Sequence, residues 1–366
     1  MIGMNIFSNK HIAALLVVIC LSWSSCIEEI DLTVPGDLTD SLAIQGRIEK
    51  GETSSKVTLS VSNVFDFTSE SRNSIAIREA FVVDESGTRL ELERTDVTSY
   101  ERVITDDEMI VDYGRSYKIE LTTLDNRSYE SQFDRLVPAQ VPGSLELEKV
   151  NVLVVDNLDN FVEEERIQLN ISSDVDPDTE GGLLWEVEQT FKMTDSPTNP
   201  RIDMKTCYIT EPVNADKVNI LEPSQLAVGR VENYPLLTAE VNFKYNQGLY
   251  FNVSQYSLSP EAYEYFRQLK ILTERTGNMF DDPVGEVVSN FYNVNDPSDR
   301  VYGYFFATEG EVIRLKVPVS ITGELTDYCP PPVNNPRPDG SCPYGICCDC
   351  LAEPESTLII PEYWEE

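Results

Sequence analysis

Val57-Thr58-Leu59-Ser60-Val61-Ser62 alternates apolar and polar side chains without a break. Successive side chains of a strand point to opposite faces, so this pattern describes a strand with one face on a core and the other in water. Upstream, Leu42, Ile44 and Ile48 carry the same rhythm. Downstream, Arg78-Glu79-Ala80-Phe81-Val82-Val83 and Thr88-Arg89-Leu90-Glu91-Leu92 flank Asp84-Glu85-Ser86-Gly87, a hairpin signature. Tyr117-Lys118-Ile119-Glu120-Leu121-Thr122 and Ser128-Tyr129-Glu130-Ser131-Gln132-Phe133 form a second pair across Asp125-Asn126. Short strands at this spacing predict a sandwich of immunoglobulin-like or transthyretin-like type.

Val137-Pro138-Ala139-Gln140-Val141-Pro142-Gly143 punctuates the chain with prolines, and the domain boundary is placed there. Beyond it, Leu145 to Val152, Arg166 to Ile171 and Leu183 to Phe191 alternate again, as a second, fibronectin-like sandwich would. Leu236 to Tyr245 and Leu249 to Tyr256 read as a hairpin around Asn246-Gln247-Gly248. One helix stands out over 259–276. Ser259 suits the N-cap, Pro260 the first turn, and Ala262, Tyr265, Phe266, Leu269 and Leu272 recur at helical spacing toward a stop at Gly277. Its aromatic stripe is read as packing on the sheet. Strands resume at Val301 to Ala307 and Val312 to Val317. The expectation is a mainly β protein of tandem sandwiches, 41–137 and 143–328, with one docked helix. A Cys- and Pro-rich tail, 329–366, packs on the second sandwich.

The first residues have a different character. A start with Lys10 and no acid leads into Ile12-Ala13-Ala14-Leu15-Leu16-Val17-Val18-Ile19-Cys20-Leu21. This run is too short to span a bilayer but suits a signal-peptide core. Ser22-Trp23-Ser24-Ser25-Cys26 follows. Small residues before a cysteine are what the lipoprotein signal peptidase accepts. Residues 1–25 are therefore expected to be removed and Cys26 to carry the lipid. Cys20 is a poorer site because bulky Ile19 precedes it, and the alternative is an ordinary cleaved signal. Residues 26–40 are read as a tether. Its Ile27-Glu28-Glu29-Ile30-Asp31 resembles the export tag of surface-exposed lipoproteins of Bacteroidetes; the plainer reading is a solvated acidic linker.

The chain has 63 acidic and 28 basic residues, a net charge of −35, and cleavage would remove one further positive charge, Lys10. Such a field repels phosphate backbones, which argues against nucleic-acid partners. The only histidine, His11, lies in the leader. That removes Ser-His-Asp, Cys-His and HExxH chemistry together, and no enzymatic motif remains. Ser173-Asp174-Val175-Asp176-Pro177-Asp178-Thr179-Glu180-Gly181 alternates carboxylates, but lacks the glycine and bidentate acid of a calcium loop. An acidic turn is the better reading. A glycosidase-like carboxylate pair is defined in space, and the sequence singles none out.

Cys207, Cys329, Cys342, Cys347, Cys348 and Cys350 make an even number of thiols beside the lipidated one. In an oxidising compartment disulfides are the expectation, with Cys347 and Cys348 bonded to different partners. A zinc ribbon would need separated CxxC pairs and a thioredoxin-like site one CxxC; Cys348-Asp349-Cys350 is CxC. No cofactor or metal site is expected.

Several segments together resemble an uncharacterised lipoprotein family, domain of unknown function 4249. They are Cys26-Ile27-Glu28-Glu29-Ile30 with Leu42-Ala43-Ile44-Gln45-Gly46-Arg47-Ile48, then Gln255-Tyr256-Ser257-Leu258-Ser259-Pro260-Glu261-Ala262-Tyr263-Glu264-Tyr265. Gly277-Asn278-Met279-Phe280-Asp281-Asp282-Pro283, Val301-Tyr302-Gly303-Tyr304-Phe305, Cys347-Cys348-Asp349-Cys350 and Tyr363-Trp364 complete the set. Glu353-Pro354-Glu355-Ser356 replaces the family's usual glycine-rich step. The resemblance implies an outer-membrane lipoprotein of Bacteroidetes, often encoded beside a TonB-dependent transporter, and supplies no catalytic residues. The leading expectation is a lipid-anchored binding or accessory partner of such a barrel. A structural or adhesive surface protein and a surface hydrolase with an unrecognised carboxylate pair are the alternatives.

Overall fold

The computed structural model describes residues 41–63, 76–155, 160–197, 201–213, 217–226, 229–274, 287–326, 328–329 and 345–365. Cys26 and Cys342 lie outside them. The protein is mainly β. The first run of strands is β1 (Leu42–Lys50), β2 (Ser55–Asn63), β3 (Ile77–Asp84), β4 (Arg89–Glu91), β5 (Glu93–Arg94), β6 (Ser99–Ile104), β7 (Ser116–Thr123), β8 (Ser128–Ser131) and β9 (Asp134–Arg135). The second is β10 (Ser144–Val155), β11 (Phe161–Asp174), β12 (Gly182–Thr194), β13 (Thr206–Pro212), β14 (Asn219–Leu221), β15 (Arg230–Ala239) and β16 (Leu249–Leu258). Helix α1 (Pro260–Thr273) follows, then β17 (Phe291–Asn293), β18 (Val301–Tyr302), β19 (Phe305–Lys316) and β20 (Ser356–Thr357).

The alternation around Val57 does what its period requires. Val57, Leu59 and Val61 are buried on the inner face of β2, between Ile44 and Ile48 of β1 and the facing sheet's Val82, Ile119 and Leu121. The hairpin partners expected from sequence are paired: β3 with β4, and β7 with β8. A second core lies between β12, β13 and β16 on one side and β11 and β15 on the other, with Trp185, Phe191, Leu169 and Phe251 at its centre.

The two sandwiches are tandem but not separate. After the second sandwich is laid down, the chain returns to the first. β17 pairs with β8, β18 lies parallel to β1, and β19 continues that pairing from Gly46↔Phe305 to Lys50↔Glu309. Residues 291–309, counted with the second sandwich on sequence grounds, thus complete the first. β19 then runs on, antiparallel to β16 from Tyr256↔Gly310 to Tyr250↔Lys316. One strand belongs to both sandwiches and joins their sheets into one of eleven strands. Sequence reading divided this strand at Thr308-Glu309-Gly310-Glu311. The glycine marks a close approach instead of a turn: a Cβ on Gly310 would lie 2.6 Å from the Tyr256 ring.

A second difference concerns 236–256. β15 pairs with β11, while β16 pairs with β12 and β19, so the two strands lie in opposite sheets and form no hairpin. The connection passes through a 3-10 turn at Phe243–Tyr245 whose Asn242 side chain accepts from Lys244 N. This crossing lets β16 be buried on both faces, against the core and beneath α1.

Helix α1 forms as its sequence dictates. Ser259 Oγ accepts from Ala262 N at 3.0 Å, Glu261 lies in the first turn, and Glu274 caps the end. Gly277, the expected stop, lies outside the described residues. Ala262 and Tyr265 face Leu184, Leu258, Tyr304 and Phe306 on the outer side of the sheet. The tail crosses that sheet's other edge. Cys347 and Cys350 enter the second core, β20 pairs with β13, and Trp364 packs with Tyr208 and Tyr250 on the outer face.

Candidate functional site

The chemistry collects where the sandwiches meet. β16 presents Leu249, Phe251 and Val253 to the second core, then Gln255 and Ser257 on the same face. The face turns polar because the strand leaves the core and meets the 137–140 link. Gln255 Nε2 donates to Gln140 O at 2.6 Å, and its Oε1 accepts from Trp185 Nε1 at 2.9 Å. Ser257 Oγ donates to Val137 O at 2.8 Å and accepts from Glu309 N at 3.0 Å. Glu309 Oε2 accepts from Ala139 N, and Oε1 from the hydroxyl of Tyr113 in the first sandwich. Burial foremost, and then the Glu309 contact, push the Tyr113 phenol up to about 12.

Asp134 is buried at the same joint. Its carboxylate accepts from Ser259 Oγ at 2.6 Å and from Ala307 N at 2.8 Å, tying β9 to the helix cap and to β19. Burial raises its pKa to about 7; the two hydrogen bonds oppose that rise and the nearby charge of Glu261 adds to it. Tyr304, which faces the same region, is also raised by burial and by Asp134.

Beside this joint opens a cleft of about 320 Å³. One wall is aromatic: Tyr265 stacks on Tyr304 at 4.6 Å, and Phe266 stands edge-on to Phe306 at 5.4 Å. Gln45, Ser60 and Glu101 from the first sandwich also line it. Arg47 crosses between the domains, with its guanidinium 4.4 Å from the Tyr256 ring centroid and Nη1 2.9 Å from Glu186 Oε2. Burial opposes its charge, but Glu186, Tyr256 and Glu49 outweigh that and hold its pKa above the ordinary value. Arg47 Nε, buried and without a hydrogen-bond partner, lies 3.7 Å from Glu49 Oε2, and the ring of Tyr100 packs into the first core.

On the other side of Gln45 and Phe266 a neighbouring cleft of about 350 Å³ is lined by Glu186 and Glu188. The pair lies two residues apart on one face of β12. Partial desolvation, and then the charge of Glu186, hold the Glu188 carboxyl above the usual range, while Glu186 is paired with Arg47.

Of the residues singled out in the sequence, Cys207 is bonded to Cys350 and Cys329 to Cys347. Cys348 is disulfide-bonded too, so the adjacent cysteines have different partners. These bonds lie at the far end of the second sandwich and take no part in the cleft. Around them, Lys205 Nζ meets Asp349 Oδ1 at 2.6 Å, and Ser196 N donates to Cys347 O at 2.7 Å. The acidic loop 173–181 disperses its carboxylates: Asp174 pairs with Arg230, Glu180 with Arg135, and Asp176 accepts from Asp178 N. Among the described residues no group of three or more His, Cys, Asp or Glu is placed to hold a metal ion. None of their helices is long and apolar enough to cross a membrane.

Two fused sandwiches, a helix docked over the joint and a disulfide-held tail define a mainly β protein with its concave surface at the domain junction. The chain belongs to the family described as a domain of unknown function, DUF4249, whose model matches residues 27–312. The match takes in β1 to the middle of β19, and with it the joint and the clefts. A search among curated proteins gives no match.

Proposed function

We propose that this protein is an outer-membrane lipoprotein, held by acylated Cys26 and displayed at the cell surface, that acts as a binding or accessory partner of a TonB-dependent transporter. The cleft beside the joint is the observation that carries a binding role. It is walled by aromatic rings and bordered by the charged and polar side chains of Arg47, Glu101, Gln45 and Ser60, as small-molecule sites are. The leader, Ser22 to Cys26 and the acidic stretch after it support anchoring and display. The transporter is an association drawn from the family resemblance. A tether of 26–40 would hold the body near a barrel in the same membrane and raise its effective concentration there.

The reading is tested by gentle detergent extraction, capture through a C-terminal tag, and identification of what co-purifies at low and high salt. A TonB-dependent barrel depleted by salt supports it. Recovery of the protein alone, with unchanged nutrient uptake in a deletion strain, overturns it and favours an adhesive role. Cys26→Ala should leave the outer-membrane fraction; retention there would refute the lipid anchor.

A second reading, a surface hydrolase, is favoured by Glu186 and Glu188. A carboxyl held above the usual range by desolvation, as Glu188 is, beside a second carboxylate is an arrangement that acid–base hydrolysis can use. Turnover of chromogenic glycosides that Glu188→Gln abolishes would support it. Turnover absent, or indifferent to that substitution, would remove it.

A further inference from the structure

Among the described residues the three sheets end in six strands, and five of these are short or interrupted. β20 and β5 have two residues each, β4 and β17 three. β15 is longer, but it holds Pro235 and shifts register twice against β11. These are devices by which native sheets keep their edges from pairing with other chains. β10 has none of them. It runs for 12 residues and pairs with β11 from Ser144↔Ser172 to Val155↔Phe161 without a shift. No strand of the described residues pairs with its other side.

The far half of β10 is the bare part. Leu145 and Leu147 pack against the second core, and β15 covers β11 only from Ile167 to Asp174. Beyond that, Val150 to Val155 and Phe161 to Arg166 form a two-stranded ribbon, an arrangement that is marginal alone in water. Val150-Asn151-Val152-Leu153-Val154-Val155 carries no charge, proline or glycine and is mostly β-branched, as strands that add to other edges are. Leu153 is 62% exposed and Val155 56%, on the face where Phe161 stands opposite Val155. Val150, Val152 and Val154 lie half-buried on the other face. Register sets the ribbon's acids one strand in from this edge: Glu163 opposite Leu153, Glu164 opposite Val152 and Glu165 opposite Asn151. Glu165 is paired with Lys149 and Glu164 with Arg166.

We infer that the far half of β10 pairs antiparallel with the same strand of a second copy of this chain, joining two three-stranded sheets into one of six. Composition selects this occupant. The edge takes an uncharged, β-branched strand that is apolar on both faces, and β10 is itself such a strand. A basic partner strand is not favoured, because the nearest charge on the edge is Lys149. Adjacent residue pairs of an antiparallel ladder alternate in kind, so a twofold axis between identical strands passes through a residue opposite its own copy. With Asn151 on the axis, two amides meet. Val150 then meets Val152, Lys149 meets Leu153, Glu148 meets Val154 and Leu147 meets Val155, and within the strand no like charges are opposed. The two bodies stand at opposite ends of the joined ribbon. The net charge of −35 resists self-association, but distance weakens it at this contact. The acid rows of the two ribbons are three strand spacings apart, about 14 Å, beyond the screening length of about 8 Å at physiological salt.

The test uses the full lipidated chain in cells, with a photo-crosslinking residue at Leu153 or Val155 and, as control, at Val103, which is exposed on β6. The expected result is an adduct of twice the chain's mass, at least tenfold above the 103 control. It should map near Lys149 from position 153 and near Leu147 from position 155. Asn151→Lys sets two cations opposite each other and should cut the adduct at least tenfold; the position is exposed, so the purified variant should melt as the parent does. The purified lipidated chain in detergent should sediment partly as a dimer, whose share rises between about 20 and about 300 mM salt as the acidic bodies are screened. A monomer under all these conditions, a dimer that salt dissolves, or adducts to lipid or to other proteins alone would overturn the inference. So would an adduct unmoved by Asn151→Lys. The dimer does not rest on the transporter reading and stands or falls whether or not a barrel co-purifies.

Discussion

The joint and the ribbon break the same rule in opposite directions. At the joint, polar side chains are buried: Gln255, Ser259 and Thr308 are fully enclosed and Asp134 nearly so. At the ribbon, large apolar side chains stand in water. The joint's exceptions are resolved inside the molecule, because each buried group has a partner across the domain boundary. The ribbon's exceptions find no such resolution among the described residues. A departure from the usual partition that the fold itself satisfies is structural; one it leaves open points outward.

Breaking the joint should therefore cost stability, and breaking the ribbon should not. Gln255→Leu strands the Trp185 indole N–H and the Gln140 carbonyl together. At ~1–3 kcal/mol for each buried unmade group, the expected loss is about 4 kcal/mol in urea unfolding. A loss under about 1 kcal/mol would mean the joint is hydrated and the contrast false.

Asp134 gives the next effect, and its sign is specific. A carboxyl with a pKa raised to about 7 when folded favours the native state at low pH. That contribution is whole below the unfolded value and is lost as pH rises through the folded one. Relative to Asp134→Asn, the wild type should lose about 2–3 kcal/mol between about pH 5 and about pH 8, at about 1.4 kcal/mol per unit. The comparison cancels the general repulsion of an acidic chain. Parallel pH profiles for the two proteins would show that the carboxyl is better solvated than its burial implies.

Ser259→Ala removes the helix cap and one Asp134 contact, for about 1–2 kcal/mol and a smaller loss of helical signal. The smallest effect sharpens the comparison from the other side. Leu153→Ser with Phe161→Ser should shift the unfolding free energy of the monomer by no more than about 0.5 kcal/mol, as exposed positions do. A loss of several kcal/mol would make the ribbon part of a core and remove the reason to seek a partner for it.

The fold class was legible because period-2 patterns survive wherever one face is wet. The Val57 strand, both early hairpins and the Ser259-capped helix were read from local signals alone. What escaped was long-range. Nothing in Val301 to Val317 says that its first half pairs with β1 and its second with β16. The break between Ala307 and Val312 spans Gly310, whose lack of a Cβ serves a close contact with the Tyr256 ring within one continuous strand. The joint left a faint trace: Gln255, Ser257 and Ser259 follow Leu249, Phe251 and Val253 on one face, a core stripe that turns polar without a turn residue. The ribbon was hidden because Leu145 to Val152 looks the same whether covered or bare. The cysteines were read as a framework from number and compartment, but their pairing needed coordinates.

The parallel pairing of β1 with β19 also sets a clock. Ile48 meets Ala307, so a strand made almost first waits for one made almost last. At synthesis rates of ~5–20 residues per second that interval is on the order of ten to fifty seconds. During it the first sheet has an open edge at β1, and contacts this distant in sequence form slowly. A chain cut short before β19 would carry that edge permanently, ready to pair with another unfinished copy. For this protein, then, the hazard of aggregation belongs to its youth, and a chaperone that shields β1 would have the most to do before residue 305 arrives.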